Sequence, residues 1–165
     1  MTVKGRLILF CGKMGAGKST LSKAMAKEHT AVWISEDEWL AAHYPGKINT
    51  FGDYIEHSRL IKPVVKGLVQ GILQAGTTVV MDFPANTVKQ RQWLLSLSQE
   101  IEAPHELIYL NMSDELCLSR LSKRRVEQPE RAAFDTEDVF HQVSRFFEAP
   151  SAAEGLTITE RTPSP

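Results

Sequence analysis

Between positions 12 and 19 the sequence reads Gly12-Lys13-Met14-Gly15-Ala16-Gly17-Lys18-Ser19, followed by Thr20 and preceded by the apolar run Leu7–Cys11. The spacing Gly-x-x-x-x-Gly-Lys-Ser suits the cradling of phosphate. Glycines at the fixed positions let the backbone turn tightly enough for successive N–H groups to converge on phosphate oxygens. Lys18 can reach the β- and γ-phosphates of a nucleoside triphosphate, and the Ser19 hydroxyl can ligate Mg²⁺. A helix opening near Lys18 aims its positive end at the same anion. Residues 12–20 are therefore the expected ATP contacts, with Lys18 also acting on the group in transfer.

Two further segments carry groups that such a site needs. Asp82 ends the apolar run 77–81, and an acid after a buried strand holds Mg²⁺ directly or through water, so Asp82 joins Ser19 as a candidate metal ligand. After Trp33-Ile34 comes Ser35-Glu36-Asp37-Glu38. Phosphoryl transfer to an alcohol requires a carboxylate that accepts the hydroxyl proton. Asp37 is the candidate base or acceptor ligand, with Glu36 and Glu38 as neighbours that could substitute. A helix N-cap is the competing use of Asp37.

The remaining charged feature is the basic run Arg120, Lys123, Arg124, Arg125 and Arg131. Such runs are usually solvated helix faces. Arg120 and Arg124, however, are four apart and project from one side of a helix. Positive charge over the migrating phosphoryl group commonly comes from arginines on a closing lid, and the polar segment 128–134 suits one. Arg120 and Arg124 are the candidate catalytic arginines.

The elements that must position these groups alternate along the chain. Strand patterns cover Leu7–Cys11, 31–34, 77–81, 106–110 and 156–159. Helical patterns cover Lys18–Glu28, 37–43, 53–74, 88–101, a stretch opened by Ser113 and reaching 126, and a stretch capped by Thr136 and reaching 147. Pro63 lies inside the longest, so a kink or a second helix starting near Lys62 is expected there. Strands separated by helices build a mainly parallel five-stranded sheet covered on both faces, an α/β three-layer αβα sandwich of the P-loop NTPase class. Ligands of such sheets bind beyond the carboxyl ends of the strands, where all the candidate residues lie. Residues 1–160 read as a single domain and 161–165 as a frayed tail.

Composition narrows the function. With 165 residues and 42% hydrophobic content, there is enough chain for one real core. A net charge of −1 provides no basic field for extended nucleic-acid binding. No stretch approaches a membrane span. Two cysteines, Cys11 and Cys117, fit neither a disulfide framework nor a zinc site, so a reduced, cytoplasmic setting is expected, with the chain a monomer or weak dimer.

Four pieces of this chain together resemble a group of small P-loop kinases. The group includes bacteriophage-type polynucleotide 5′-hydroxyl kinases, zeta-type toxins, chloramphenicol phosphotransferase and gluconate kinase-like enzymes. The pieces are residues 12–20; Ile34-Ser35-Glu36-Asp37; Asp82 and Asn86 followed by Lys89-Gln90-Arg91-Gln92-Trp93; and Arg120-x-x-x-Arg124. The resemblance implies Asp37 as general base and Arg120 and Arg124 as lid arginines, with Asp82, Asn86 and Arg91 around the acceptor pocket. Polynucleotide kinases of this kind carry an arginine three residues after the base, where this chain has Leu40. Apolar groups there would suit a small or partly apolar acceptor better than a nucleic-acid phosphate.

The expected activity is ATP- and Mg²⁺-dependent transfer to a hydroxyl of a small molecule. A nucleic-acid 5′-end or a nucleotide-sugar is the alternative acceptor. A GTPase would need a guanine-reading Asn-Lys-x-Asp segment, which is missing. An AAA-type motor normally places a glutamate beside the metal aspartate, where this chain has Phe83. A non-catalytic nucleotide-binding module is the third class.

Overall fold

The structure is a computed structural model that describes residues 3–129, 132 and 134–163. Five strands, β1 (Leu7–Cys11), β2 (Val32–Ser35), β3 (Val79–Asp82), β4 (His105–Leu110) and β5 (Ile158–Arg161), form one sheet in the order β2-β3-β1-β4-β5. Every pairing is parallel, so the mainly parallel expectation resolves to an all-parallel sheet. All five residues of β1 are buried, as a central strand covered on both faces requires. Leu7, Leu9 and Cys11 join one core, and Ile8 and Phe10 join the other.

The helices divide between those two cores. α1 (Lys18–Glu28), α5 (Asp114–Glu127) and α6 (Glu137–Ser144) supply Met25, Ala26, Cys117, Leu121 and Phe140 to one side. α2 (Glu36–His43), α3 (Phe51–Gln74) and α4 (Val88–Gln99) cover the other with Leu40, Ile61, Val65, Val69, Leu73, Leu94 and Leu97. The α3 contacts recur at helical spacing, so one face of the helix is buried along most of its length. Of the two outcomes expected at Pro63, a second helix starting near Lys62 does not occur. A single helix of 24 residues runs through it, with the proline on the exposed side.

Local chemistry sets the helix starts. Ser113 and Thr136 accept backbone N–H bonds from Leu116 and Val139, as their sequence positions suggest. Thr50 and Thr87 form reciprocal capping boxes with Asp53 and Gln90. Arg161, expected in the tail, instead closes β5, pairing with Leu110 and accepting a bond from the Asn111 N–H at 2.9 Å. Ser164 and Pro165 lie outside the described residues. Both cysteines are free and buried, and burial pushes the Cys11 thiol up to about 11. No helix among the described residues is long and apolar enough to cross a membrane.

The entry to β1 depends on one close backbone approach. A Cβ on Gly5 would lie 1.9 Å from the Thr77 carbonyl oxygen, where no side chain can turn aside. Gly5→Ala should therefore destabilise the protein by about 1–3 kcal/mol through forced backbone movement. At roughly 2–4 °C per kcal/mol for a chain of this size, thermal denaturation reads the loss directly. An unchanged melting temperature would show that this strand entry can yield.

Candidate active site

The phosphate loop links β1 to α1 and contains two left-handed glycines that permit its tight turn. Gly15 has φ 77° and Gly17 φ 102°, a region that side-chain-bearing residues rarely adopt. Space enforces Gly15 a second time, because a Cβ there would stand 2.5 Å from the Cys117 carbonyl of α5. Lys18 folds its ammonium back onto the loop and donates to the carbonyls of Gly12 and Lys13. Enclosure lowers the Lys18 pKa, against an opposing pull from Asp82. Lys13 turns away to pair with Asp114 at 2.9 Å.

Parallel register brings the two acidic strand ends side by side, since Ser35 pairs with Asp82 across β2 and β3. Ser19 Oγ donates to Asp82 Oδ2 at 2.8 Å. One hydroxyl and one carboxylate are hard oxygen donors of the kind that hold Mg²⁺ together with substrate phosphates and water. Burial raises the Asp82 pKa, with Asp37 adding to the effect and Ser19 and Lys18 opposing it. Ser35, not Asp37, caps α2, its Oγ accepting the Glu38 N–H at 3.3 Å. That leaves Asp37 exposed in the first turn, with no hydrogen bond or ion pair of its own among the described residues.

These groups surround one cleft of about 600 Å³. It is lined by the loop residues Met14, Gly15, Ala16, Gly17, Lys18, Ser19 and Thr20, by Asp37 just after β2 and Asp82 at the end of β3, and by Arg120 and Arg124 of α5. Arg120 Nη1 donates to the Ala16 carbonyl at 2.8 Å, tying α5 to the loop. Arg124 is held by Asp135, whose buried carboxylate accepts from Nε and Nη2 at 2.6 Å each. Lys123 also lines the cleft, but Arg125 does not. Arg131 and part of the expected lid, Glu130 and Ala133, lie outside the described residues.

Three expectations about the acceptor side need correction. Asn86 does not line the cleft; its Oδ1 accepts the Gly12 N–H at 3.0 Å, so it supports the phosphate loop from behind. Arg91 is 1% exposed, and its guanidinium is committed to Glu154, at 2.9 and 3.2 Å, and to the Ala85 carbonyl at 3.0 Å. It braces α4 against the short 3₁₀ turn Ala152–Glu154 and faces no acceptor. Leu40 is 3% exposed within the core, so its apolar character reflects packing and carries no information about the substrate.

The structure also adds partners that the sequence did not single out: Tyr54 and Ser58 for Glu36, and Asp135 for Arg124. Glu36 is buried and accepts hydrogen bonds from the Tyr54 hydroxyl and, at 2.7 Å, from Ser58 Oγ. Burial raises its pKa despite those bonds. Glu36 is thus fixed, whereas its neighbour Asp37 is free to move. The pairing of Arg124 with Asp135 crosses 11 positions and has no periodic signal.

The AAA domain family matches residues 7–150, and the chain belongs to it. Solved structures of P-loop kinases share the fold. A candidate kinase from Chloroflexus aurantiacus J-10-fl superposes with a TM-score of 0.74 at 19% identity, covering 98% of this chain and 87% of its own. APS kinase from Mycobacterium tuberculosis, solved with AMPPNP and APS, gives 0.65 at 14% identity over 99% and 91%. A sugar kinase from a Janibacter species gives 0.61 at 19% identity over 96% and 85%.

The Arg91 correction yields a test. Arg91→Met removes one partner of a buried ion pair, which typically costs about 3–5 kcal/mol. The expected outcome is a marked fall in thermal midpoint, with nucleotide affinity of the folded fraction little changed. A wild-type midpoint combined with a raised acceptor KM would instead make Arg91 a substrate ligand.

Proposed function

We propose that this chain is an ATP- and Mg²⁺-dependent phosphotransferase that moves the γ-phosphoryl group of ATP to a hydroxyl of a small molecule. The observation that carries this reading is one cleft lined by a phosphate loop, by two arginines and by Asp37, a carboxylate with no ion pair among the described residues. The acceptor oxygen bonds to the γ-phosphorus as the bond to the β–γ bridging oxygen breaks. Asp37 takes the hydroxyl proton, and ADP leaves with the electron pair. Ser19 and Asp82 would hold Mg²⁺, which when bound neutralises and orients the β- and γ-phosphates. Lys18 exchanges its loop carbonyls for phosphate oxygens. Phe83, beside Asp82, is buried, so no carboxylate follows Asp82 to activate water in the manner of a motor ATPase.

Arg124 supports this reading in a more specific form. A bidentate pair with Asp135 occupies Nε and Nη2, leaving Nη1 to meet charge that develops in transfer. Asp135 is then a positioning residue that acts through Arg124.

The first test is a screen of hydroxyl compounds for acceleration of ADP release. With an acceptor in hand, Asp37→Asn should lower transfer by about 10²–10⁴-fold while ATP binding persists. Lys18→Ala should abolish productive triphosphate use without unfolding the chain. If Asp37→Asn transfers at the wild-type rate, Glu36 or Asp82 must be the base.

The second test is a double-mutant cycle on the transfer rate constant. Arg124→Ala should depress it by orders of magnitude and shift ATP affinity modestly, as expected for an interaction strongest in the transition state. Asp135→Asn should lower the same constant, and should add nothing further in the Arg124→Ala background. Additive losses would mean that Asp135 acts on stability alone.

A further inference from the structure

Beside the main cleft lies a second cavity of about 110 Å³, which shares Glu36, Tyr54 and Pro84 with it. We propose that this cavity seats the carboxylate end of a small hydroxy acid, which makes the acceptor an anionic alcohol whose hydroxyl end reaches Asp37. This rests on the phosphotransferase reading and adds to it the class of acceptor.

Position and size come first. Sites for whole ligands usually occupy about 300–1,000 Å³, which fits the 600 Å³ cleft as the place for a triphosphate. A cavity of 110 Å³ has room for one functional group with a few carbons. Glu36 lines both spaces and Asp37 lines the main cleft, so a short molecule anchored here would extend toward the cleft that holds the candidate base.

The lining sets the chemistry. Among the described residues Lys62 is the single basic residue of the wall; its ammonium sits 5.2 Å above the Trp93 ring and within electrostatic reach of Glu36, with no hydrogen bond or ion pair. The Gln90 carboxamide oxygen is already taken by the N–H groups of Asn86 and Thr87, at 2.9 and 3.2 Å, which leaves its NH₂ as an available donor. Each oxygen of Glu36 already accepts a hydroxyl bond, from Tyr54 or Ser58. Two of the cavity's polar groups thus offer donors, the Gln90 NH₂ and the charged Lys62 ammonium, while the hydroxyl protons of Tyr54 and Ser58 are spent on Glu36. The matching ligand group is an acceptor with negative charge, and a planar carboxylate can take both donors at once.

Apolar surroundings strengthen that match. Phe83 and Leu94 are buried beside the half-buried Trp93, and charge attraction grows as water is excluded. Ile55, 53% exposed, stands at the cavity wall where the carbon skeleton of an acceptor would cover it. A cationic acceptor would meet the Lys62 ammonium, and Glu36 is already engaged by Tyr54, Ser58 and the charge of Lys62.

The test uses three probes of equal length: 4-hydroxybutyrate, 1,4-butanediol and 4-amino-1-butanol. Binding is read without ATP from the indole N–H resonance of Trp93, assigned with Trp93→Phe, in wild type, Lys18→Ala and Lys62→Met. The acid should shift the resonance saturably, at least about tenfold more tightly than either other probe, in wild type and Lys18→Ala alike. Lys62→Met, with an unchanged thermal midpoint, should bind the acid no better than the diol. No saturable shift by the acid, equal binding of the diol or amino alcohol, or a preference that survives Lys62→Met would each overturn the proposal. Equal ATP turnover by wild type and Lys18→Ala would overturn the phosphotransferase reading and leave the carboxylate result standing, so the two failures can be told apart.

Discussion

A loop that binds a triphosphate through its backbone must keep its shape when the phosphates are absent, and most of the site follows from that requirement. Its own sequence supplies only permission, in the left-handed conformations of Gly15 and Gly17. The shape is imposed from outside. Asn86 accepts the Gly12 N–H from the β3–α4 connection, and Arg120 donates to Ala16 from α5. Lys13 reaches Asp114 at the start of α5. Lys18 fills the interior with its ammonium on two loop carbonyls. Supports from two elements beyond the loop explain why residues that resemble substrate ligands in sequence, Asn86 above all, serve as scaffold.

The same arrangement gathers charge of both signs in the cleft. Adjacent parallel strands bring Asp82 and the Glu36–Asp37 pair to it, while α5 brings Arg120, Lys123 and Arg124 together with Glu127. The acids are not equivalent. Asp82 is bonded to Ser19, Glu36 is locked by Tyr54 and Ser58, and Asp37 is unbonded at the solvent edge. A group that must approach a hydroxyl, take its proton and release it needs freedom and hydration, and Asp37 alone combines them. Glu36 next to it is better suited to shape a pocket than to transfer protons.

Much of this was legible in the sequence, for definable reasons. The phosphate loop has fixed spacing. The Ser113 and Thr136 caps have local chemistry, and the strand-then-acid pattern at Asp82 follows from a buried strand ending at the sheet's carboxyl edge. What could not be read depends on contacts between distant segments. Arg91 has the composition of a ligand, yet its partner Glu154 lies 63 positions away. Leu40 stands where the sequence resemblance leads one to look for an acceptor contact, but the face of α2 that carries it turns into the core. Pro63 signals a break that the buried stripe of α3 overrides, because its ring points outward and the contacts on either side hold the helix together.

The least local feature, the Arg124–Asp135 pair, bears most directly on how the cleft could work. A salt bridge that captured the whole guanidinium would oppose catalysis, since transfer would have to break it first. Arg has five donors in a fixed plane, and a fork through Nε and Nη2 uses one edge of that plane. The Nη1 edge stays available while the side chain loses its freedom to wander. Preorganised charge is more effective than mobile charge in stabilising a transition state, because no reorganisation is needed during reaction. A fully buried carboxylate beside a partly exposed arginine of the cleft wall is the arrangement such preorganisation requires. Asp135 directly precedes the Thr136 cap of α6, so the orientation of Arg124 is tied to the packing of a helix that does not line the cleft.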